Sequence, residues 1–99
     1  MTFAKSLRKD EVNRVLIGQI VRSGTSLGAN YMEADGAESK RDFYHKIAIC
    51  KKEAKETRYW LRMIAKVNSE KLEECRRSWQ ESQELTLIFS AIILSKDKK

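Results

Sequence analysis

The chain has 99 residues, contains no proline and four glycines, and 34% of its residues are charged. This length fits one small domain, and this composition suits long helices better than sheets. The formal net charge of +6 favours an anionic partner such as nucleic acid, but a modest basic excess is also common in ordinary soluble proteins. The N-terminus has no apolar signal segment, and the longest apolar stretch, residues 85–94, is too short to span a bilayer. We therefore expect neither export nor membrane insertion.

In chain order, the sequence predicts a short helical stub and three long helices. The predicted helices cover approximately residues 2–7, 10–35, 40–67 and 69–95. Their boundaries are marked by residues typical of helix ends: Asp10, Gly36, Ser39 with Asp42, and Asn68 or Ser69. Both turns between long helices are short, so neighbouring helices should run antiparallel. The predicted fold is all-α, a single up-down helical bundle domain over residues 1–99 with a truncated N-terminal helix.

The two helices on either side of Asn68 carry residues that mirror each other. The two residue numbers of each pair always give the same sum, and both sets advance by alternating steps of three and four, which keeps them on one helix face. Two helices folded back at Asn68 would therefore meet layer by layer. The pairs are Phe43/Ile93, Ile47/Phe89, Cys50/Thr86, Ala54/Ser82, Thr57/Trp79, Leu61/Cys75 and Ile64/Leu72.

No residue pattern forms a complete catalytic or metal site. Cys50 and Cys75 fall in different mirrored pairs, which favours buried reduced thiols and a reducing cytoplasm over a disulfide. Glu53 and Glu56 supply half of a carboxylate metal site, but the only histidine, His45, lies on the outward side of that helix. We therefore expect no metal, no cofactor and no enzymatic activity.

Polar residues of the first long helix are predicted to face the two glutamates of the second. Folding the helices about the turn at residues 36–39 brings Arg22 close to Glu53 and Glu56, and charges that leave water need partners. Ser23, Ser26 and Asn30 are expected to form hydrogen bonds across the core. The predicted structural polar cluster comprises Gln19, Arg22, Ser23, Asn30, Glu53 and Glu56.

The first long helix carries two apolar stripes on opposite sides. One of them begins at Val12, continues through Leu16 and Ile20, and is predicted to face the core. A bundle of this size cannot enclose a helix that lacks a polar face, so the second stripe should meet another subunit. The second long helix widens this apolar surface with Ile49, Trp60, Met63 and Val67. The candidate oligomer interface comprises Ile17, Val21, Gly24, Gly28, Tyr31, Trp60 and Met63.

The outward side of the second long helix is basic, with interspersed aromatic residues. Such a surface can follow a phosphate backbone while its aromatic rings stack on bases. An ordinary solvated helix face has a similar composition, and acidic residues of the last helix could pair with part of it. The candidate nucleic-acid-binding residues are Arg41, Lys51, Lys52, Lys55, Arg58, Tyr59, Arg62 and Lys66.

Several segments closely resemble the bacterial family of 23S ribosomal RNA intervening-sequence proteins. They are residues 19–30 (QIVRSGTSLGAN), 33–34, 39–43, 52–61 (KEAKETRYWL) and the 84–89 pattern of the last helix, and the resemblance covers roughly residues 3–93. It implies a four-helix bundle assembled into a ring-like homopentamer, with no known enzymatic activity and no established cellular role. Relatives include accessory proteins of diversity-generating retroelements, which resemble basic barrels that engage nucleic acid and a reverse transcriptase.

The N-terminus departs from this family pattern. Family members usually carry a full first helix, whereas only residues 2–7 would form one here, so either the true start lies upstream or the bundle lacks most of one helix. The expected function is a homo-oligomeric binding or scaffolding module for structured RNA or DNA. The alternative is a protein–protein adaptor with a solvated basic face. The sequence leaves the natural ligand, the sequence specificity and the subunit number open.

Overall fold

The computed structural model describes residues 10–96, and this part of the chain contains three helices and no strand. Helix α1 spans Glu11–Asp35, helix α2 spans Lys40–Val67 and helix α3 spans Leu72–Ser95, with a short 3-10 turn at Ser69–Lys71. The all-α prediction is confirmed, and the three long helices closely follow their predicted bounds. The helical stub predicted at residues 2–7 lies outside the described residues.

The predicted N-terminal caps of α1 and α2 are present, whereas the start of α3 differs. Asp10 Oδ1 accepts a hydrogen bond from the backbone N–H of Asn13 at 2.8 Å, and Ser39 Oγ accepts one from Asp42 at 3.0 Å. Each cap satisfies a backbone donor that the first helical turn leaves free. Asn68, predicted as a possible cap of the last helix, makes no side-chain cap bond because its amide bonds instead to α1.

Helices α2 and α3 meet along the mirrored residues. One buried cluster near the turn combines Leu61, Ile64 and Cys75 with residues of α1, and a second cluster contains Ile47, Cys50, Ala54 and Phe89. Burial of each large aliphatic side chain contributes roughly 1.5–3 kcal/mol, so these clusters are the main source of stability. Leu72 departs from the prediction, since it begins α3 and is 42% exposed.

Polar contacts hold α1 against α2. The hydroxyl oxygens of Ser23 and Thr57 lie 2.8 Å apart, and Ser26 Oγ donates to Glu53 Oε2 at 2.7 Å. Near the other end of the two helices, Lys46 Nζ lies 3.1 Å from a carboxylate oxygen of Glu33. Residue numbers therefore rise along α1 as they fall along α2 in this interface.

Arg22 lies between the two glutamates that the sequence analysis pairs with it. Its Nη2 donates to Glu56 Oε1, its Nη1 lies 3.5 Å from Glu53 Oε2, and its Nε donates to Gln19 Oε1 at 3.2 Å. Asn30 behaves differently, because its amide donates to the carbonyl oxygen of Ser26 in the same helix at 2.8 Å. The prediction that Asn30 bonds across the core is wrong, since its short side chain reaches back along its own helix.

Asn13 and Asn68 form a buried amide pair that joins the start of α1 to the end of α2. Asn13 Nδ2 donates to Asn68 Oδ1 at 3.0 Å, Asn68 Nδ2 donates to Asn13 Oδ1 at 2.7 Å, and neither residue has exposed surface. Val12, predicted to face the core, is instead 53% exposed. The polar residue beside it therefore takes the inward position at this end of α1.

Our first prediction concerns the coupling between these two asparagines. Asn68→Ala should lower the free energy of unfolding by about 1–3 kcal/mol, because a buried amide loses its reciprocal partner. Asn13→Ala should have a similar effect, and the double variant should lose clearly less than the sum of the two. Urea titrations of the two single variants and the double variant measure this coupling. Strictly additive effects would contradict it.

Our second prediction compares Arg22 with another arginine of the same helix. Arg14 pairs with Glu11 where both side chains are largely exposed, so Arg14→Ala should cost at most about 0.5 kcal/mol. Arg22→Ala removes the counter-charge of Glu53, whose side chain is only 8% exposed. Because the Arg22 side chain itself is 46% exposed and screened by water, we expect a loss of about 1–3 kcal/mol in urea titrations near pH 7. Equal losses for the two variants would contradict the prediction.

The loss caused by Arg22→Ala should also depend on pH. The hydrogen bond from Trp60 Nε1, and then the guanidinium of Arg22, lower the pKa of Glu56 below 4.5. Its contribution to stability is therefore fully present above pH 4.5 and is lost as the pH falls through the lowered value. The part of the destabilisation that comes from Glu56 should shrink as the same titrations are repeated at successively lower pH values below 4.5.

Candidate nucleic-acid interface

One side of α2 presents exposed basic side chains with one tyrosine. From Lys52 onward the members are spaced by three or four residues, which keeps them on the same side of the helix. At 1.5 Å per residue, the members from Lys52 to Lys66 span about 21 Å, and Arg41 lies about 17 Å before them. We call this row the basic face, and its members are Arg41, Lys52, Lys55, Tyr59, Arg62 and Lys66.

The positive charges of the basic face are not neutralised within residues 10–96. None of its lysine or arginine side chains forms an ion pair there, and the acidic residues of α3 do not reach it. The ion pairs of this part of the chain join Arg14 to Glu11, Arg22 to Glu53 and Glu56, Lys46 to Glu33, and Lys71 to Glu74. The charge of the basic face is therefore available to an anionic partner.

The tyrosine of the basic face is positioned for stacking. Tyr59 is 55% exposed, and its ring packs edge-on against Trp60 with the ring centres 4.9 Å apart. Proteins that bind single-stranded nucleic acids use exposed aromatic rings among cationic side chains, because every base has a face that can stack on such a ring.

Two predicted nucleic-acid-binding residues lie at the edge of α2 that faces α3 and are less accessible. Lys51 is half-buried. Arg58 donates a hydrogen bond from Nη1 to Gln83 Oε1, and its guanidinium carbon lies 5.5 Å from the ring centre of Trp79. This cation–π contact and hydrogen bond hold Arg58 against α3, so we leave Arg58 out of the basic face, and its contact with nucleic acid stays a prediction.

One basic residue beside this face was not predicted from the sequence. Arg76 of α3 and Arg62 of α2 line a cleft of about 470 Å³ between the two helices. The sequence contains a signal for this proximity. Arg62 directly follows Leu61, and Arg76 directly follows Cys75, the other member of that mirrored pair. In two antiparallel helices, residues one position after a facing pair lie on the same side of the contact.

The candidate oligomer interface divides into two parts. Ile17, Trp60 and Met63 pack against a core cluster of their own chain, so only part of their surface could meet a partner. The other members form a row that we call the outer α1 face: Val21, Gly24, Gly28 and Tyr31. Tyr31 also contacts its own chain, because its ring centre lies 6.4 Å from that of Phe89 in α3. Val21 is 43% and Tyr31 54% exposed, and a methyl group added at Gly28 would have no neighbouring atom within 4 Å.

Residues 10–96 contain no cluster of three or more histidine, cysteine and acidic side chains that could hold a metal ion. Burial raises the pKa of both thiols, Cys50 and Cys75, which keeps them in their unreactive protonated form. Among the described helices, none is long and apolar enough to cross a membrane.

The arrangement resembles that of a solved bacterial protein. It is a crystal structure of a protein of unknown function from the S23 ribosomal protein family of Bacteroides thetaiotaomicron VPI-5482. The two structures superpose with a TM-score of 0.81 and 37% sequence identity, over 93% of this chain and 82% of that chain. Among curated proteins, none matches the chain.

The sequence resemblance noted above is confirmed by a family model. The model described as 23S rRNA-intervening sequence protein matches residues 1–91, which is most of the chain. Together with the similar structure, this match establishes that the chain belongs to the 23S rRNA-intervening sequence protein family.

Proposed function

We propose that this protein is a non-enzymatic, homo-oligomeric module that binds nucleic acid through the basic face of α2. The observation that carries the proposal is the row of exposed lysine and arginine side chains without ion pairs that spans about 21 Å from Lys52 to Lys66, with Tyr59 among them. Neutralisation of phosphates by such a row releases condensed counterions, so affinity should fall steeply as salt rises. RNA is the first ligand to test, because the family description refers to 23S rRNA and that of the similar structure to a ribosomal protein family.

The proposed binding has weak sequence preference. Lysine and arginine side chains along a helix contact phosphates, and a tyrosine ring stacks on any base. The basic face contains no asparagine or glutamine, the side chains that pair bidentately with adenine. The affinity would therefore depend on the charge of the phosphate backbone and on the presence of unpaired bases more than on which bases are present.

Self-association is the second part of the proposal. The outer α1 face places apolar and small residues at the surface, and a partner helix could approach closely at its glycines. The three described helices would form part of an up-down bundle, and the homopentamer is the assembly that the family resemblance implies. In a ring, the charges of several basic faces would add and strengthen the attraction for a polyanion.

The proposed setting is a reducing compartment such as the cytoplasm, which suits two buried free thiols. The non-enzymatic character is supported by a family description that names no reaction.

A protein–protein adaptor is the second candidate function, and one observation favours it. Helix α3 exposes three large apolar side chains: Leu87 (59%) and Leu94 (67%), seven residues apart on the same side of the helix, and Ile88 (54%) next to Leu87. Exposed apolar residues grouped on one helix are typical of surfaces that bind another protein. In that case the basic face would serve mainly as a solvated surface.

Our third prediction tests nucleic-acid binding with matched charge reversals. Lys55→Glu combined with Arg62→Glu should abolish binding, because both side chains lie in the middle of the basic face. The control combines Arg14→Glu with Arg77→Glu, which makes the same change in net charge at exposed positions away from that face. Fluorescence anisotropy of a labelled RNA in a salt series measures the affinity, and circular dichroism checks helicity. Equal losses for the two double variants, or no binding by the wild type at low salt, would contradict the proposal.

Our fourth prediction tests self-association with two glycines of the same helix. Gly18 and Gly28 both lie where an added methyl group meets nothing within 4 Å, so alanine at either position should stabilise α1 by about 0.5–1 kcal/mol. Only Gly28→Ala should also weaken assembly, because a partner helix on the outer α1 face would meet the new methyl group. Val21→Glu should weaken assembly further. Sedimentation velocity measures particle size, and a wild type that sediments as a monomer at high concentration would contradict this part of the proposal.

A further inference from the structure

A cleft between α2 and α3 combines an apolar floor with two arginines at its rim. It has a volume of about 470 Å³, within the range of small-molecule sites. Its lining includes the side chains of Leu61, Ala65, Leu72 and Trp79, together with those of Arg62 and Arg76. Leu61 is 3% exposed, whereas Leu72 at the start of α3 is 42% exposed, so apolar surface continues from the core to the outside.

The two arginines of the cleft have no fixed role in the fold. Both side chains are exposed, and neither forms an ion pair or a hydrogen bond within residues 10–96. Arg58, one turn before Arg62, shows the contrasting case, because it is held by Gln83 and Trp79. Guanidinium groups that are free on both sides of an apolar cavity can form paired hydrogen bonds with a phosphate at its mouth.

The cleft adjoins the basic face. Arg62 belongs to both, so a nucleic-acid strand that follows the basic face passes the mouth of the cleft. A duplex presents phosphates and keeps its bases stacked inside, whereas an unpaired strand can turn a base outward into an apolar pocket. The combination of two free arginines with a mainly apolar lining fits a phosphate joined to an aromatic ring.

We propose that this cleft binds one unpaired nucleotide of a single-stranded RNA or DNA, with its base among Leu61, Leu72 and Trp79 and its phosphate between Arg62 and Arg76. This inference rests on the proposed function and makes it more specific, because it predicts a preference for single strands over duplexes. It also adds a contact from α3, a helix that the basic face does not include.

The experiment uses Trp79 as a reporter and two neighbouring arginines as a matched pair. Trp60→Phe, at a position that does not line the cleft, leaves Trp79 as the only tryptophan. In this background, a single-stranded oligothymidylate should quench the Trp79 fluorescence in a saturable manner, and a duplex of the same length should not. Arg76→Gln should weaken oligothymidylate binding about tenfold or more, because a charge-assisted phosphate contact is lost.

Arg77→Gln is the control, because it removes the same charge from the adjacent exposed residue outside the cleft. We expect its affinity to stay within about twofold of the parent, since Arg77 does not line the cleft and its exposed charge acts on the phosphate only through screened solvent. Arg62→Gln should behave like Arg76→Gln, and circular dichroism of each variant checks that the helices are intact.

The outcomes separate the cleft from the proposed function. If anisotropy of a labelled strand detects binding while Trp79 fluorescence is unchanged, the proposal that the cleft binds a nucleotide is wrong. The proposal that the basic face binds nucleic acid would still hold. Equal effects of Arg76→Gln and Arg77→Gln, or equal affinity for single strands and duplexes, would overturn the cleft proposal as well. The absence of any anisotropy change at low salt would contradict the proposed function itself.

Discussion

Helix α2 packs against two helices at once, and the rest of the structure depends on how it divides its surface between them. Toward α3 it presents apolar and small residues, and the resulting contacts remove hydrocarbon from water without a strong directional requirement. Toward α1 it contacts apolar residues of the same clusters, Leu16, Ile20 and Ala34. Beside them it also presents Glu53, Glu56 and Thr57, whose hydrogen bonds and ion pairs require particular partners. The apolar contact supplies most of the stability, and the polar contact favours one alignment of α1 over others.

This division leaves a single side of α2 for solvent or a ligand, and that side is basic. The boundary between packed and free surface passes between two arginines one turn apart. Arg58 lies on the packed side, where its guanidinium sits over Trp79, whereas Arg62 remains exposed beside the cleft. The same residue type therefore has a structural role at one position and is available for binding at the next.

The outer surfaces of α1 and α3 keep apolar side chains exposed to solvent. Three helices bury one side of each helix, and apolar side chains such as Val21, Tyr31, Leu87 and Ile88 remain exposed. Isolated exposed apolar residues are normal, but several of them on each of two helices favour a further partner. Assembly and nucleic-acid binding would support each other physically, because subunits brought together by apolar faces also bring their basic faces together.

The sequence by itself determined the helices, the mirrored contact of α2 with α3 and the pairing of Arg22 with Glu53 and Glu56. These features depend on capping residues, helical periodicity and short turns, all of which act over a few residues or follow from simple folding back of the chain. The basic side of α2 was also evident, because a regular spacing of three and four residues marks one side of any helix.

Only the tertiary structure decided the features that depend on helix rotation and side-chain conformation. A small rotation of α1 decides whether Val12 or Asn13 faces inward, and the structure places Asn13 against Asn68. The side chain of Asn30 can form a hydrogen bond across the core or back to Ser26. Its conformation in the structure gives the bond to Ser26. Arg58 and Arg62 are equivalent in the helical pattern, but their long side chains reach different neighbours. The cleft beside Arg76 exists only once α2 and α3 are packed, because its walls come from two helices.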